Sequence, residues 1–157
     1  MIYTVRELFQ KEKSIWIKMR QYLIDTDICV YFLKGKFGLI DKIDEVGLEN
    51  CFISEITIIE LTYGAYKSTN FAEHILDVAK IKHLFEVLPI SDSIEKYAEE
   101  KVRLQRLGQL IPDFDLLIAA TAATHNMTMV TRNEKHLARV DGVIIENWTK
   151  YEFNRFV

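Results

Sequence analysis

The feature that most constrains this chain is a series of short apolar runs, each followed by a helical pattern. Tyr22-Leu23-Ile24, Cys51-Phe52-Ile53, Met127 to Thr131 and Val143-Ile144-Ile145 are too short for buried helices. They suit strands covered on both faces. Phe85 to Ile90 is a further strand candidate, weakened by Pro89. Between the runs lie amphipathic patterns at Leu39–Val46, Glu55–Tyr66, Asn70–Leu84, Asp92–Leu107 and Asp113–Ala123. Alternation of this kind predicts crossover units and a three-layer α/β/α domain with a central, mainly parallel sheet of four or five strands.

The punctuation agrees with those elements. Ser54 is a predicted N-cap, Pro112 suits a helix start, and Gly108 and Asn126 suit helix ends. Asp27 is the expected cap of the helix after the first run, and Asp92-x-x-Glu95 reads as a capping box. Residues 19–157 are expected to form one domain, which suits the length. Residues 1–18 read as an N-terminal extension, an amphipathic helix with Leu8, Phe9, Ile15, Trp16 and Ile17. Met19, just before the first strand, is a candidate natural start. No apolar run reaches membrane-spanning length. Cys29 and Cys51 lie in apolar runs and are expected to be reduced core residues of a cytoplasmic protein. A net charge of -3 argues against a simple duplex-binding module.

Three acids stand where a carboxylate is costly. Asp25 ends the first apolar run, Glu60 shares a helix face with Ile56 and Tyr63, and Asp115 shares one with Ile118, Ala119 and Ala122. Gly64, one turn beyond Glu60, leaves room beside it. Each acid has a plain alternative: Asp25 as a cap, Glu60 as an edge residue, Asp115 as a first-turn acid complementing the helix dipole. A buried carboxylate without a partner shifts its pKa or demands a cation. Mg²⁺ or Mn²⁺ takes oxygen ligands and keeps waters, so a few convergent acids suit it, and such a site activates water against a phosphodiester. Cations occur in two places: Lys34 and Lys36 in a glycine-containing turn, and Lys96, Lys101, Arg103 and Arg106 on one helix, with Arg132 beyond. All but Lys96 read as candidate phosphate contacts, and the run from Lys96 to Arg106 reads equally as a solvated face. His74, His83, His125 and His136 have no metal-ligand spacing, and there is no phosphate-binding glycine loop.

Leu23-Ile24-Asp25-Thr26-Asp27-Ile28 resembles the opening motif of PIN-domain ribonucleases. Ser54 to Ala65 is similar to their second motif, with Glu60 at the metal acid, and Ile111 to Ala122 to the third, with Asp115 at the acid. Val130-Thr131-Arg132-Asn133 matches the fourth, and Val143 to Trp148 the closing strand, so the resemblance runs from about Gln21 to Trp148. Within the family the chain resembles the VapC toxins of toxin–antitoxin modules. The resemblance implies a PIN-like fold and a metal-dependent endoribonuclease that cuts RNA such as tRNA. Asp25, Glu60 and Asp115 would be catalytic residues and metal ligands, with Asp27, Thr131 and Asn133 supporting. It also implies a VapB-type antitoxin that blocks the site, a homodimer and action in the cytoplasm. The chain departs from the family twice, with Asp27 where Asn is commoner and Asn133 where many members carry a fourth acid.

Two other readings compete. Asp25-x-Asp27 is similar to the nucleophile pair of haloacid-dehalogenase-like phosphatases. Those enzymes also need a late lysine and an acidic pair after a strand, which Val130-Thr131-Arg132-Asn133 does not supply. A catalytically silent PIN domain that binds RNA or a protein partner is the other.

Overall fold

The computed structural model of the protein describes residues 4–150, with the backbone alone for residues 14–19. The first helix, α1, spans Val5–Met19. Leu8 and Phe9 on it are exposed. The side chains of Ile15, Trp16 and Ile17, expected on its apolar face, lie outside the described residues.

The domain proper begins with β1 (Tyr22–Ile24), followed by α2 (Thr26–Leu33), α3 (Leu39–Val46), β2 (Cys51–Ser54), α4 (Glu55–Lys67) and α5 (Phe71–Leu84). The chain continues through β3 (Glu86–Leu88), α6 (Ile94–Arg106), α7 (Asp113–Thr124), β4 (Thr128–Val130), α8 (Glu134–Leu137) and β5 (Ile144–Glu146). All strand pairings are parallel, in the order β3-β2-β1-β4-β5. Pro89 follows β3 at the sheet edge, where its missing N–H removes no ladder bond. Among the described residues no helix is long and apolar enough to cross a membrane.

Alternation along the strands builds two cores. Leu23, Phe52 and Met129 face one cluster with Leu104, Leu116, Ile118 and Ala119. Tyr22, Ile24, Cys51, Ile53 and Val130 face the other with Ile28, Ile43, Ile81 and Trp148. Sheet and two helical layers thus form the expected three-layer α/β/α domain, with five strands. Ala119, Ala120 and Ala122 are fully buried, which lets α7 approach closely. Cys29 and Cys51 are buried and free, so no disulfide joins them. In α5 the buried apolar residues are Val78 and Ile81, whereas Phe71 and Leu84 are exposed.

Two capping expectations are corrected. Asp25, not Asp27, caps α2: its extended backbone lets its carboxylate accept the Thr26 N–H at 2.8 Å, and Asp27 falls in the first turn. Asp92 lies in a 3-10 turn, Ser91–Ser93, so α6 starts at Ile94 without a side-chain cap. Ser54 caps α4 as expected, accepting from the Ile56 N–H. Gly108 and Asn126 both take positive φ where α6 and α7 end.

Candidate active site

β1 and β4 are neighbours in the sheet although β2 and β3 intervene in sequence. The chain leaves on opposite sides of β1, and ligands bind at strand C-termini where the order switches in this way. Asp25 leaves β1 at that point, and its N–H still reaches Val130 O. Thr131 and Asn133 leave β4 beside it. Glu60 comes from α4, after β2, and Asp115 from the first turn of α7.

Asp25 is 8% exposed. Its carboxylate accepts the Thr26 N–H and, at 2.7 Å, the Thr131 hydroxyl. Burial pushes its carboxyl up to about 7; the charges of Asp27 and Asp115 add to the rise, against the Thr131 and Thr26 hydrogen bonds. Glu60 accepts a hydrogen bond from the Thr26 hydroxyl. Its pKa is raised by burial and by the charges of Asp115 and Asp27. Asp115 accepts from Asn133 Nδ2 at 3.2 Å, and burial raises it against the charge of His136. Asp27 is raised by burial and by Asp115, although the Arg132 charge opposes the rise. One of its carboxylate oxygens, Oδ1, is buried without a hydrogen-bond partner.

The four acids therefore share one edge and feel one another's charge, and Asp115 acts on each of the other three. Among the described residues, no three His, Cys, Asp or Glu side chains are drawn together closely enough to grip a metal ion. No Lys or Arg side chain among the described residues forms a salt bridge with Asp25, Glu60 or Asp115. Thr131 also accepts the Asn133 N–H at 3.0 Å, so one hydroxyl fixes both Asp25 and the turn that carries Asn133.

The sequence reading missed Thr26, which serves Asp25 through its N–H and Glu60 through its hydroxyl. A threonine between two acids carried the signal. It also missed His136, whose charge acts on Asp115, because that proximity depends on how α8 folds back. Gly64 lines a groove of about 480 Å³ beside Glu60 with Lys34, Leu61 and His74. A Cβ at Gly64 would meet nothing within 4 Å, so close packing does not require glycine there.

The basic residues divide. Lys101 donates to Asp113 at 2.7 Å and to the Tyr97 hydroxyl at 2.9 Å. Arg103 is held by Glu100 and by Arg139 O. Arg106 lies with Arg103 along the outer groove of α6. Lys34 and Lys36 follow α2, and Arg132 lies at the hydroxyl end of Tyr31.

The fold and the site define a three-layer α/β/α domain with an acidic, oxygen-only centre at the strand ends. A family model for the PIN domain matches residues 22–143. Ribonuclease VapC2 of Rickettsia felis is 34% identical over 135 residues, covering 82% of this chain and 98% of its own length. The tRNA(fMet)-specific endonuclease VapC of Shigella flexneri is 26% identical over 132 residues, covering 83% of this chain and all of its own. Among solved structures, VapBC2 from Rickettsia felis bound to a promoter DNA fragment superposes with a TM-score of 0.75 at 30% identity, over 81% of this chain and 98% of that one. DNA-bound VapBC from Salmonella typhimurium gives 0.76 at 26% identity, over 82% and 98%. The chain belongs to the PIN-domain family, among its VapC ribonucleases, which displaces the phosphatase reading of Asp25 and Asp27.

Proposed function

We propose that this chain is the endoribonuclease toxin of a toxin–antitoxin module and cuts structured RNA, such as tRNA, in the cytoplasm with Mg²⁺ or Mn²⁺. One observation carries the reading: four carboxylates from three separate segments share the strand ends with raised affinity for protons, and among the described residues no lysine or arginine is salt-bridged to Asp25, Glu60 or Asp115. That arrangement costs stability unless a cation enters it.

The residues fit a hard divalent ion. Every donor is a carboxylate oxygen, no thiol competes, and Asp27 Oδ1 stands ready without a partner. Asp25, Glu60 and Asp115 would hold the ion, with Asp27 beside them. When bound, the ion supplies Lewis acidity that lowers the pKa of water and offsets phosphate charge. Thr131 and Thr26 fix the Asp25 carboxylate, and Asn133 fixes Asp115 while adding no charge.

The open acidic edge and the groove beside Glu60 suit a VapB-type antitoxin segment that brings a basic side chain to the carboxylates. A homodimer accompanies this reading by likeness to the family. The test is RNA cleavage by the purified protein with Mg²⁺, with Mn²⁺ and with chelator. Metal-dependent cutting that the co-expressed antitoxin abolishes is expected. Binding of RNA without cutting under all three conditions would make the chain a silent module instead.

A further inference from the structure

The ribonuclease reading leaves unexplained an exposed aromatic residue held in an unfavourable backbone conformation. Phe37 has φ +58, in the left-handed region that bulky residues avoid, and the residue is 43% exposed. Glycines flank the turn at Gly35 and Gly38, also with positive φ. A third glycine would fit the backbone here without strain. The ring is thus the part of Phe37 that needs explaining.

That ring does not stand alone. It meets Tyr31 edge-on, with ring centroids 5.0 Å apart. The Arg132 guanidinium lies at the hydroxyl end of Tyr31, 5.1 Å from the ring centroid, and hydrogen-bonds the Tyr31 hydroxyl. Tyr31 is one helical turn beyond Asp27, and Arg132 directly follows Thr131, which holds Asp25. The platform therefore runs from the acidic edge outward to the turn of Lys34 and Lys36. A guanidinium anchored through one N–H keeps its planar faces available, and such a plane stacks on nucleobases. Aromatic and guanidinium surfaces beside flexible lysines suit an unpaired nucleotide: bases on the planes, phosphates on the cations. A paired base in an A-form helix hides its faces in the stack and cannot use such a platform.

We infer that Phe37, Tyr31 and Arg132 form a stacking subsite for an unpaired nucleobase next to the scissile phosphate. It holds one base of the unpaired strand beside the carboxylates. The inference rests on the ribonuclease reading and adds to it the residues that hold the substrate base.

The test measures binding of a short oligoadenylate, and of the same strand paired with oligouridylate, to Asp115→Asn protein, which prevents cutting. Phe37→Gly removes the ring and relieves the backbone, so the variant folds. It should bind the single strand about ten-fold more weakly, the usual scale for one lost base stack. Duplex binding and the salt dependence should stay as they were. Arg132→Lys keeps the charge without the plane and should show the same selective loss, whereas Phe37→Tyr keeps a ring and should bind like the parent. Equal affinity of Phe37→Gly and parent for the single strand overturns the subsite, and so does an equal loss for the duplex. If these variants instead weaken only the antitoxin complex, the platform serves a protein partner and the inference fails. Metal-dependent cleavage by the unaltered chain is read separately, so failure of the ribonuclease reading is distinguishable from failure of the subsite.

Discussion

Glu100 and Asp25 are both carboxylates withdrawn from water, and the protein treats them in opposite ways. Glu100 is 1% exposed, in α6. It accepts from Arg103 Nε and Nη2, the latter at 2.7 Å, from the Asp141 N–H at 2.8 Å and from Lys96 at 3.5 Å. Burial pushes its pKa up, but those hydrogen bonds and the charges of Lys96 and Arg103 outweigh it, and the net shift is downward. Asp25 has a hydroxyl and an N–H, no cation and two acidic neighbours, and its carboxyl rises. Burial alone therefore does not mark a functional acid. A buried acid whose charge is answered within the fold is structural. One whose charge is left unanswered is kept for something that arrives later.

The sharpest way to break that contrast is to neutralise an acid at each place. Asp115→Asn keeps the size of the side chain and removes the charge that acts on Asp25, Asp27 and Glu60. RNA cleavage should fall by orders of magnitude, as expected when a metal-holding or charge-stabilising group is lost. The melting temperature in metal-free buffer should hold or rise, because mutual repulsion is relieved. Full cleavage would remove Asp115 from the site. A collapse of stability would make it structural, like Glu100.

Acidity separates the two places next. Asp25 shifts from 3.8 to about 7 in the folded protein. Between those values the folded protein holds a proton that the unfolded chain has released, so stability falls as pH rises across the interval and stays low above it. At about 1.4 kcal/mol per pKa unit, the effect is on the order of 4 kcal/mol without metal. Glu100 has the opposite sign: its lowered pKa contributes stability above the ordinary carboxylate range, and this is lost as pH falls through the folded value. Chemical denaturation from acid to neutral pH, with chelator present, measures both. Mn²⁺ at a hundred times its Kd should restore about 2.7 kcal/mol near neutral pH. No contribution of Asp25 to a fall in stability between acid and neutral pH in chelator would mean that Asp25 is answered by some other group.

Glu100→Gln should act in the converse way, lowering stability while sparing chemistry. Glutamine offers one oxygen to donors that now share two, and turns an N–H toward one of them. The cost should be about 2–3 kcal/mol, below the figure for a fully buried pair because Arg103 is partly exposed. Urea denaturation gives the loss, and cleavage per folded molecule should be unchanged.

Much of this was legible in the sequence, and the limits follow a physical line. The strands showed because each is a short apolar run whose alternate residues feed two cores, as Leu23 does one and Ile24 the other. Asp25, Glu60 and Asp115 showed because each interrupts an apolar pattern. What stayed hidden depends on partners far along the chain. Arg103 read as an outward cation on α6, yet it also reaches Arg139 O, and Glu100 beside it accepts the Asp141 N–H. Lys101 was likewise indistinguishable from a phosphate contact until α7 placed Asp113 against it. The cap was misplaced by two residues because Asp25 and Asp27 are equally good capping residues, and only the end of β1 selects Asp25.

The smallest expected effect tests whether the acidic end gives up stability on its helices as well as in its charges. Gly64 sits inside α4, one turn beyond Glu60, and lines the groove beside it. Glycine within a helix costs about 0.5–1 kcal/mol relative to alanine. Nothing lies within 4 Å of the position a Cβ would take, so Gly64→Ala should recover that amount. The same methyl narrows the groove. If the antitoxin segment or RNA uses that space, the variant gains stability while losing affinity for its occupant, the trade expected where function holds a position below its stability optimum. Thermal melting and antitoxin binding, measured on the same protein, separate the cases. A gain in stability with unchanged binding would leave the groove empty of function and confine the contrast with Glu100 to the carboxylates themselves.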